Sequence, residues 1–228
     1  SVADGTCMKR VANRIVEARK AGHPVVAVVS ARGDTTDDLI EMAGGEGFIL
    51  YWSFVPARFV QDPLGNVITL FTSMFMHAGW MHLGGNMLYL IIFGDNVEDR
   101  FGHLKFLLFY LVCGFVAMLA QFVAAPFVNI PNMGASGAIA GILGAYLVLF
   151  PRRRVRVLLG WWVVHLPALI VIGFWIAIQM LSSVNTSIAA TGDTGGVAYM
   201  AHIGGFAAGL VLSFLYRNRA RPLPPQYM

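Results

Sequence analysis

Two apolar stretches of equal length constrain this chain more than any other feature. Ser136 opens SGAIAGILGAYLVLF, which ends at Phe150 and is followed by Pro151 and the arginines 152 to 154. His202 opens HIGGFAAGLVLSFLY, which ends at Tyr216 and is followed by Arg217, Arg219 and Arg221. As helix, each stretch covers about 22 Å, against a hydrocarbon core of about 30 Å. With both arginine clusters at one membrane face, the hydroxyl and the imidazole lie at one depth, just inside the opposite face. A nucleophile and a base at matched depth in lipid point to proteolysis within the membrane.

Composition agrees with a membrane setting. The chain is 57% hydrophobic and 12% charged, whereas soluble domains carry about 25% charged residues. Five apolar segments are expected to span: about Trp80 to Phe93, His103 to Ala125, Ser136 to Phe150, Val157 to Leu181, and Val197 to Tyr216. Short loops between them predict an all-α polytopic bundle. Basic residues are lopsided. One set of loops holds Arg100, Lys105, Arg152, Arg153, Arg154, Arg156, Arg217, Arg219 and Arg221, and the other set holds Arg58. Cytosolic loops collect Lys and Arg, so the C-terminus is expected in the cytosol and the heads of the Ser136 and His202 helices outside. The net charge of +4 reports this topology and the lipid head groups rather than nucleic acid. Cys7 and Cys113 fall in different environments, a polar leader and mid-span, so neither a disulfide nor a metal site is expected. No cofactor is expected either. Residues 1 to 24 contain no apolar run of the kind a cleavable signal peptide needs.

Polar residues at the level of Ser136 and His202 complete a candidate site. The run HAGWMHLGGN places His82 and Asn86 at i and i+4, on one helical face. Polar groups at one depth in an apolar bundle are costly unless they meet one another or water. The chemical reading gives Ser136 the attack on a carbonyl and His202 the proton transfers. Asn86, His82 and the Ser136 backbone N–H would stabilise the oxyanion. No Asp or Glu lies in the apolar helices near this level, which predicts a Ser–His dyad without a third member. The bland alternative is close packing, since Gly137 with Gly141 and Gly205 with Gly209 are small-xxx-small pairs. Both readings hold together if the glycines let the two helices approach until Ser136 reaches His202. His165 is read as a packed or snorkelling residue of the fourth span. Gln179 and Gln121 are read as interfacial, and Trp161 with Trp162 as part of an aromatic belt.

At these residues the chain resembles the rhomboid family of intramembrane serine proteases. The resemblance rests on HAGWMHLGGNMLYLIIFGDNVEDRFG, FLLFYLVCG, GASGAIAGILGAYLVLFP and GVAYMAHIGGFAAG, within about residues 54 to 216. It implies a rhomboid-like bundle with Ser136 as nucleophile, His202 as base, and His82 with Asn86 in the oxyanion hole. Gly134 and Gly137 flank the serine, Glu98 and Gly102 match a structural E-x-x-x-G, and Gly205 and Gly209 follow the histidine. It further implies single-span membrane proteins as substrates, cut near the outer side, and a bacterial inner-membrane location. Where some members carry an aromatic four residues after the serine, this chain has Ala140. The alternatives are a catalytically inactive rhomboid-like binding protein and a small transporter.

The N-terminal region reads differently. Met8 to Ala21 has helical spacing, Val25 to Val29 reads as a strand, and Thr35 to Ala43 as a short helix. SVAD followed by KRVANRIVEARKAGHPVVAVVSARGDTTDDLIEMA resembles an internal piece of aspartate kinases, with no kinase activity inferred. Three regions are therefore expected: a soluble α-β-α fragment at 1–45, a membrane domain at 46–221 and a tail at 222–228. The family's first span should precede Phe54, yet Phe48 to Val55 is apolar for about 12 Å only. The expectation is a kinase fragment joined near Ala43 to Glu46 to a rhomboid lacking its usual first helix.

Overall fold

The computed structural model describes residues 45–159, 162–188 and 198–219. The expected α-β-α fragment, Trp161, Arg221 and the tail at 222–228 lie outside the described residues. Contacts divide the chain into Ser1–Ile49 and Leu50–Met228. The described part of the first unit is the start of helix α1 (Gly45–Trp52).

The second unit begins with short helices. These are α2 (Pro56–Gln61), α3 (Pro63–Asn66) and α4 (Thr69–Thr72), the last running into a 3-10 turn at Ser73–Phe75. Proline at the first helical position starts both α2 and α3, where its missing N–H costs nothing. Arg58 Nη2 donates to the Ser53 carbonyl at 2.8 Å, and Phe54 pairs with Asn132 in an isolated antiparallel bridge. This segment is thereby tied to the strand-like stretch just before Ser136.

Helix α5 (Trp80–Tyr89) continues through a π turn (Leu90–Gly94) into α6 (Asp95–Phe101). Gly102 ends it: its N–H bonds the Glu98 carbonyl at 2.6 Å, and its φ of 80° suits glycine. The Gly102 carbonyl in turn accepts from Phe106 N–H, so one residue closes α6 and opens α7 (His103–Ala124). Glu98 Oε1 meets His103 Nδ1 at 2.6 Å across the joint. Helix α8 (Ser136–Leu149) follows, then a hairpin of β1 (Arg154–Leu159) and β2 (Trp162–Pro167), then α9 (Ala168–Ile188) and α10 (Tyr199–Tyr216).

Three expectations are corrected here. The fourth apolar segment does not start its helix at Val157, because residues up to Pro167 form the antiparallel hairpin, with Arg154 opposite Pro167 and Arg156 opposite His165. The reason lies in RVRV: arginines alternate with β-branched valines, so Val155 is buried while Arg154 and Arg156 are exposed. Pro167 ends the strand, and the helix begins one residue later. His165 is accordingly an exposed strand residue, not a residue of a span. The described fold is thus mostly helical with one small sheet rather than wholly α.

Helices α7 and α10, with 22 and 18 residues, are long and apolar enough to cross a membrane. The other expected spans are shorter or interrupted. Helix α8 has 14 residues, about 21 Å long, and is buried along nearly its whole length among α7, α9 and α10. Its glycines explain how. A Cβ on Gly205 would lie 2.0 Å from the Gly137 carbonyl oxygen, and one on Gly209 would lie 1.9 Å from that of Gly141. Gly144 likewise faces the Phe206 carbonyl, at 2.5 Å from a notional Cβ. At these glycines no side chain stands between α8 and α10, so backbone meets backbone. In lipid, where apolar burial gives little drive, this close van der Waals contact is what holds helices together.

Replacing Gly209 with Val is therefore expected to destabilise the bundle by about 3 kcal/mol or more, because overpacking meets immovable backbone. Gly173 on α9 has open space around it, so Gly173→Ala is expected to be neutral or to stabilise by up to about 1 kcal/mol. Thermal unfolding of both variants in one detergent compares them directly.

Candidate active site

Ser136 is the first residue of α8, and its preceding residue Ala135 supplies no side-chain cap. Backbone N–H groups of the first helical turn lack intrahelical acceptors, and the helix dipole places partial positive charge there. His202 lies one turn into α10, with its N–H bonded to the Ala198 carbonyl. The glycine contacts bring these two helix starts together. His202 Nε2 lies 2.7 Å from Ser136 Oγ. The imidazole is 8% exposed, so water competes little for this hydrogen bond.

His82 and Asn86 come from α5 on the other side of the serine. Both line, with Ser136, His202, Met81 and Trp175, a cleft of about 720 Å³. Asn86 Nδ2 donates one N–H to the His82 carbonyl at 3.0 Å, which leaves the second for a ligand. Ala78 N–H points at His82 Nδ1 at 3.5 Å, a contact that favours the tautomer with a donor at Nε2. That edge lies against Gly134: a Cβ there would be 2.7 Å from His82 Cε1 and 2.8 Å from Nε2. Gly134 also has φ of 118°, which L side chains rarely adopt, and its N–H is held by the Ser73 carbonyl at 2.8 Å. Edge-on to His82, at 5.2 Å between centroids, sits His77. Burial first, and His82 second, hold His77 below the usual histidine range.

Ser136, His202, His82 and Asn86 are thus brought to one cleft, with Gly134 beneath them. Gly137, Gly205 and Gly209 lie at the helix contact, while Glu98 and Gly102 lie at the α6–α7 joint, away from the cleft. Two residues at the site were read otherwise from sequence. Gln179 is not interfacial: it is 8% exposed and its Oε1 lies 2.7 Å from His202 Nδ1. Gln121 also turns inward, accepting from the Ala201 N–H at 3.3 Å. The ring beside His202 is Trp175, centroids 5.6 Å apart and tilted by 37°. Trp175 and Gln179 are four residues apart on α9, a spacing legible in the sequence once the helix is known to start at Ala168. His103 pairs with Glu98 and does not reach the cleft.

A helical membrane protein with a hydrogen-bonded serine and histidine between two glycine-packed helices is the class that fold and site define. The rhomboid domain model matches residues 64–219, and the chain belongs to the rhomboid family. It is accordingly an integral membrane protein. RHOMBOID-like protein 1 of Arabidopsis thaliana is 35% identical over 163 residues, covering 69% of this chain and 35% of that protein. Rhomboid protease GluP of Bacillus subtilis is 36% identical over 145 residues, covering 63% of this chain and 25% of that protein. The chain therefore spans about a quarter to a third of the length of these relatives. A separate likeness concerns the aspartate-kinase-like stretch: an aspartokinase of Mycolicibacterium smegmatis is 65% identical over 43 residues, covering 19% of this chain and 10% of that protein.

Gly134→Ala is expected to push His82 aside and strain the backbone, lowering stability by about 1–3 kcal/mol. Its thermal unfolding midpoint should fall, and its His77–His82 contact should open, read as altered imidazole NMR shifts.

Proposed function

We propose that this chain is an intramembrane serine endopeptidase whose nucleophile is Ser136 and whose base is His202. The observation that carries the reading is the 2.7 Å contact between Ser136 Oγ and His202 Nε2 inside a bundle where water is scarce. In the first step Oγ attacks the scissile carbonyl while its proton passes to Nε2. The negative charge that develops on the carbonyl oxygen is met by the Ser136 N–H, by Asn86 Nδ2 and by His82 Nε2–H. The imidazolium then gives its proton to the leaving amine, leaving an acyl-serine. Water, deprotonated by the same imidazole, releases the second fragment and restores the hydroxyl.

On this reading the substrates are single-span membrane proteins, as the rhomboid resemblance implies, and the apolar side chains exposed around the bundle suit a substrate that arrives from lipid. The arginines at 152–154, 217 and 219 lie at the opposite ends of α8 and α10 from the site. The positive-inside bias supports a cytosolic place for them and a cleft toward the outer side; the bacterial inner membrane is the location that the rhomboid resemblance implies. GluP, a relative named as a protease, is consistent with this chemistry.

Fluorophosphonate labelling of detergent-solubilised chain tests the proposal. Labelling is expected in the parent and lost in Ser136→Ala and His202→Ala. Cleavage of a reconstituted single-span substrate should fall on the order of 10⁴-fold or more in each. Asn86→Ala should lower kcat about 10²–10³-fold, the effect of losing one oxyanion donor. A parent that does not react, or labelling that survives Ser136→Ala, would sink the proposal.

A further inference from the structure

Helix α9 supplies two residues to one imidazole. Trp175 and Gln179 are at i and i+4, on one helical face. The indole lies alongside the His202 ring, and the Gln179 amide meets its Nδ1 edge at 2.7 Å. On the opposite edge Nε2 meets Ser136, also at 2.7 Å. The imidazole is held by α8 at one nitrogen and by α9 at the other.

We propose that Gln179 is a positioning residue for His202, one that selects the tautomer in which Nε2 is free to accept the serine proton. The proposal rests on the protease reading of the dyad. A carbonyl oxygen can only accept, so the Gln179 Oε1 contact requires Nδ1 to carry the proton. Nδ1–H then donates to Gln179, and Nε2 accepts from the Ser136 hydroxyl. The reverse amide orientation would donate to Nδ1 and put the proton on Nε2, which could take nothing from the serine. The tautomer, and with it the base, is therefore set by which way one buried amide faces.

The chemistry of the amide suits its place. A carboxylate at this position would stabilise the imidazolium more strongly, but an ionised group inside lipid is expensive. The amide fixes the ring through the same kind of hydrogen bond without introducing charge. Gln179 and His202 are equally buried, at 8% exposure each, so both bonds form in a low dielectric, where linked hydrogen bonds polarise one another. Gln179 contacts no reacting atom. It acts through His202.

Three forms of the full chain in detergent test this: parent, Gln179→Met, which keeps nearly the same shape without an acceptor, and Gln179→Glu, which keeps the acceptor. Nitrogen-15 NMR of labelled histidine at mildly alkaline pH, with the His202 signal assigned by its loss in His202→Ala, distinguishes a protonated from an unprotonated Nδ1. The parent is expected to have Nδ1–H, Gln179→Met a mixture, and Gln179→Glu the parent tautomer. Gln179→Met should lose about 10- to 100-fold in kcat with KM little changed, and Gln179→Glu should recover part of that loss. An Nε2–H tautomer in the parent, or a Gln179→Met chain with parental tautomer and kcat, overturns the proposal. The NMR arm is read in Ser136→Ala as well. An Nδ1–H tautomer there and in a parent that fluorophosphonate fails to label means that the protease reading has failed while the positioning by Gln179 stands.

Discussion

Backbone-to-backbone contact between α8 and α10 is the interaction on which the rest of this structure depends. The carbonyls of Gly137 and Gly141 occupy the space where side chains at 205 and 209 would otherwise project. With any larger residue there the helices would stand apart, and the short reach of a serine hydroxyl could not meet an imidazole on the neighbouring helix. The same contact sets register as well as distance. Ser136 heads α8, and His202 lies three residues into α10, so their meeting needs the helices aligned at their starts. Helix α7 completes the lock through small residues: Ala117 faces Gly137, and Ala120 faces Gly204.

Within the cleft, Ser136, His202, His82 and Asn86 are joined in short hydrogen-bonded chains rather than standing singly. Gln179, His202 and Ser136 form one chain. Ala78, His82 and Asn86 form a second through the α5 backbone. In an apolar bundle each unpaired group would be costly, which favours an arrangement that collects them into one cleft. Gly134 separates the two chains and, lacking a Cβ, leaves room for the His82 edge to approach the serine loop.

Much of this was legible in the residues. Ser136 and His202 declared themselves by position, each at the head of an apolar stretch with arginines at its far end. His82 and Asn86 followed from helical spacing, and the glycine pairs from their four-residue repeat. The errors have physical causes. An apolar run such as Val157 to Leu181 satisfies either a buried strand or a helix, and length favoured the helix. What decided it was the alternation of arginine and valine over four residues, too short to outweigh the apolar run that follows. Gln179 was misread because depth along α9 was counted from the wrong start. An amide near the end of a 25-residue span looks interfacial, whereas in a helix beginning at Ala168 the same residue falls opposite His202. Gln121 was misread for a related reason: a side chain near a helix end can turn inward when a neighbouring N–H lacks an acceptor.

Where α8 meets α10, the smallest residues lie deepest. The bundle's deepest helix meets α10 through Gly137, Gly141 and Gly144, while Leu104, Phe174, Leu181 and Leu215 face outward. Volume is thus scarce at the centre and unconstrained at the rim. At the outer positions one bulky apolar residue can replace another without meeting a packed neighbour. At the central glycines every substitution adds atoms, and there is nowhere for them to go. The shape of the site is kept by hydrogens standing where side chains would be.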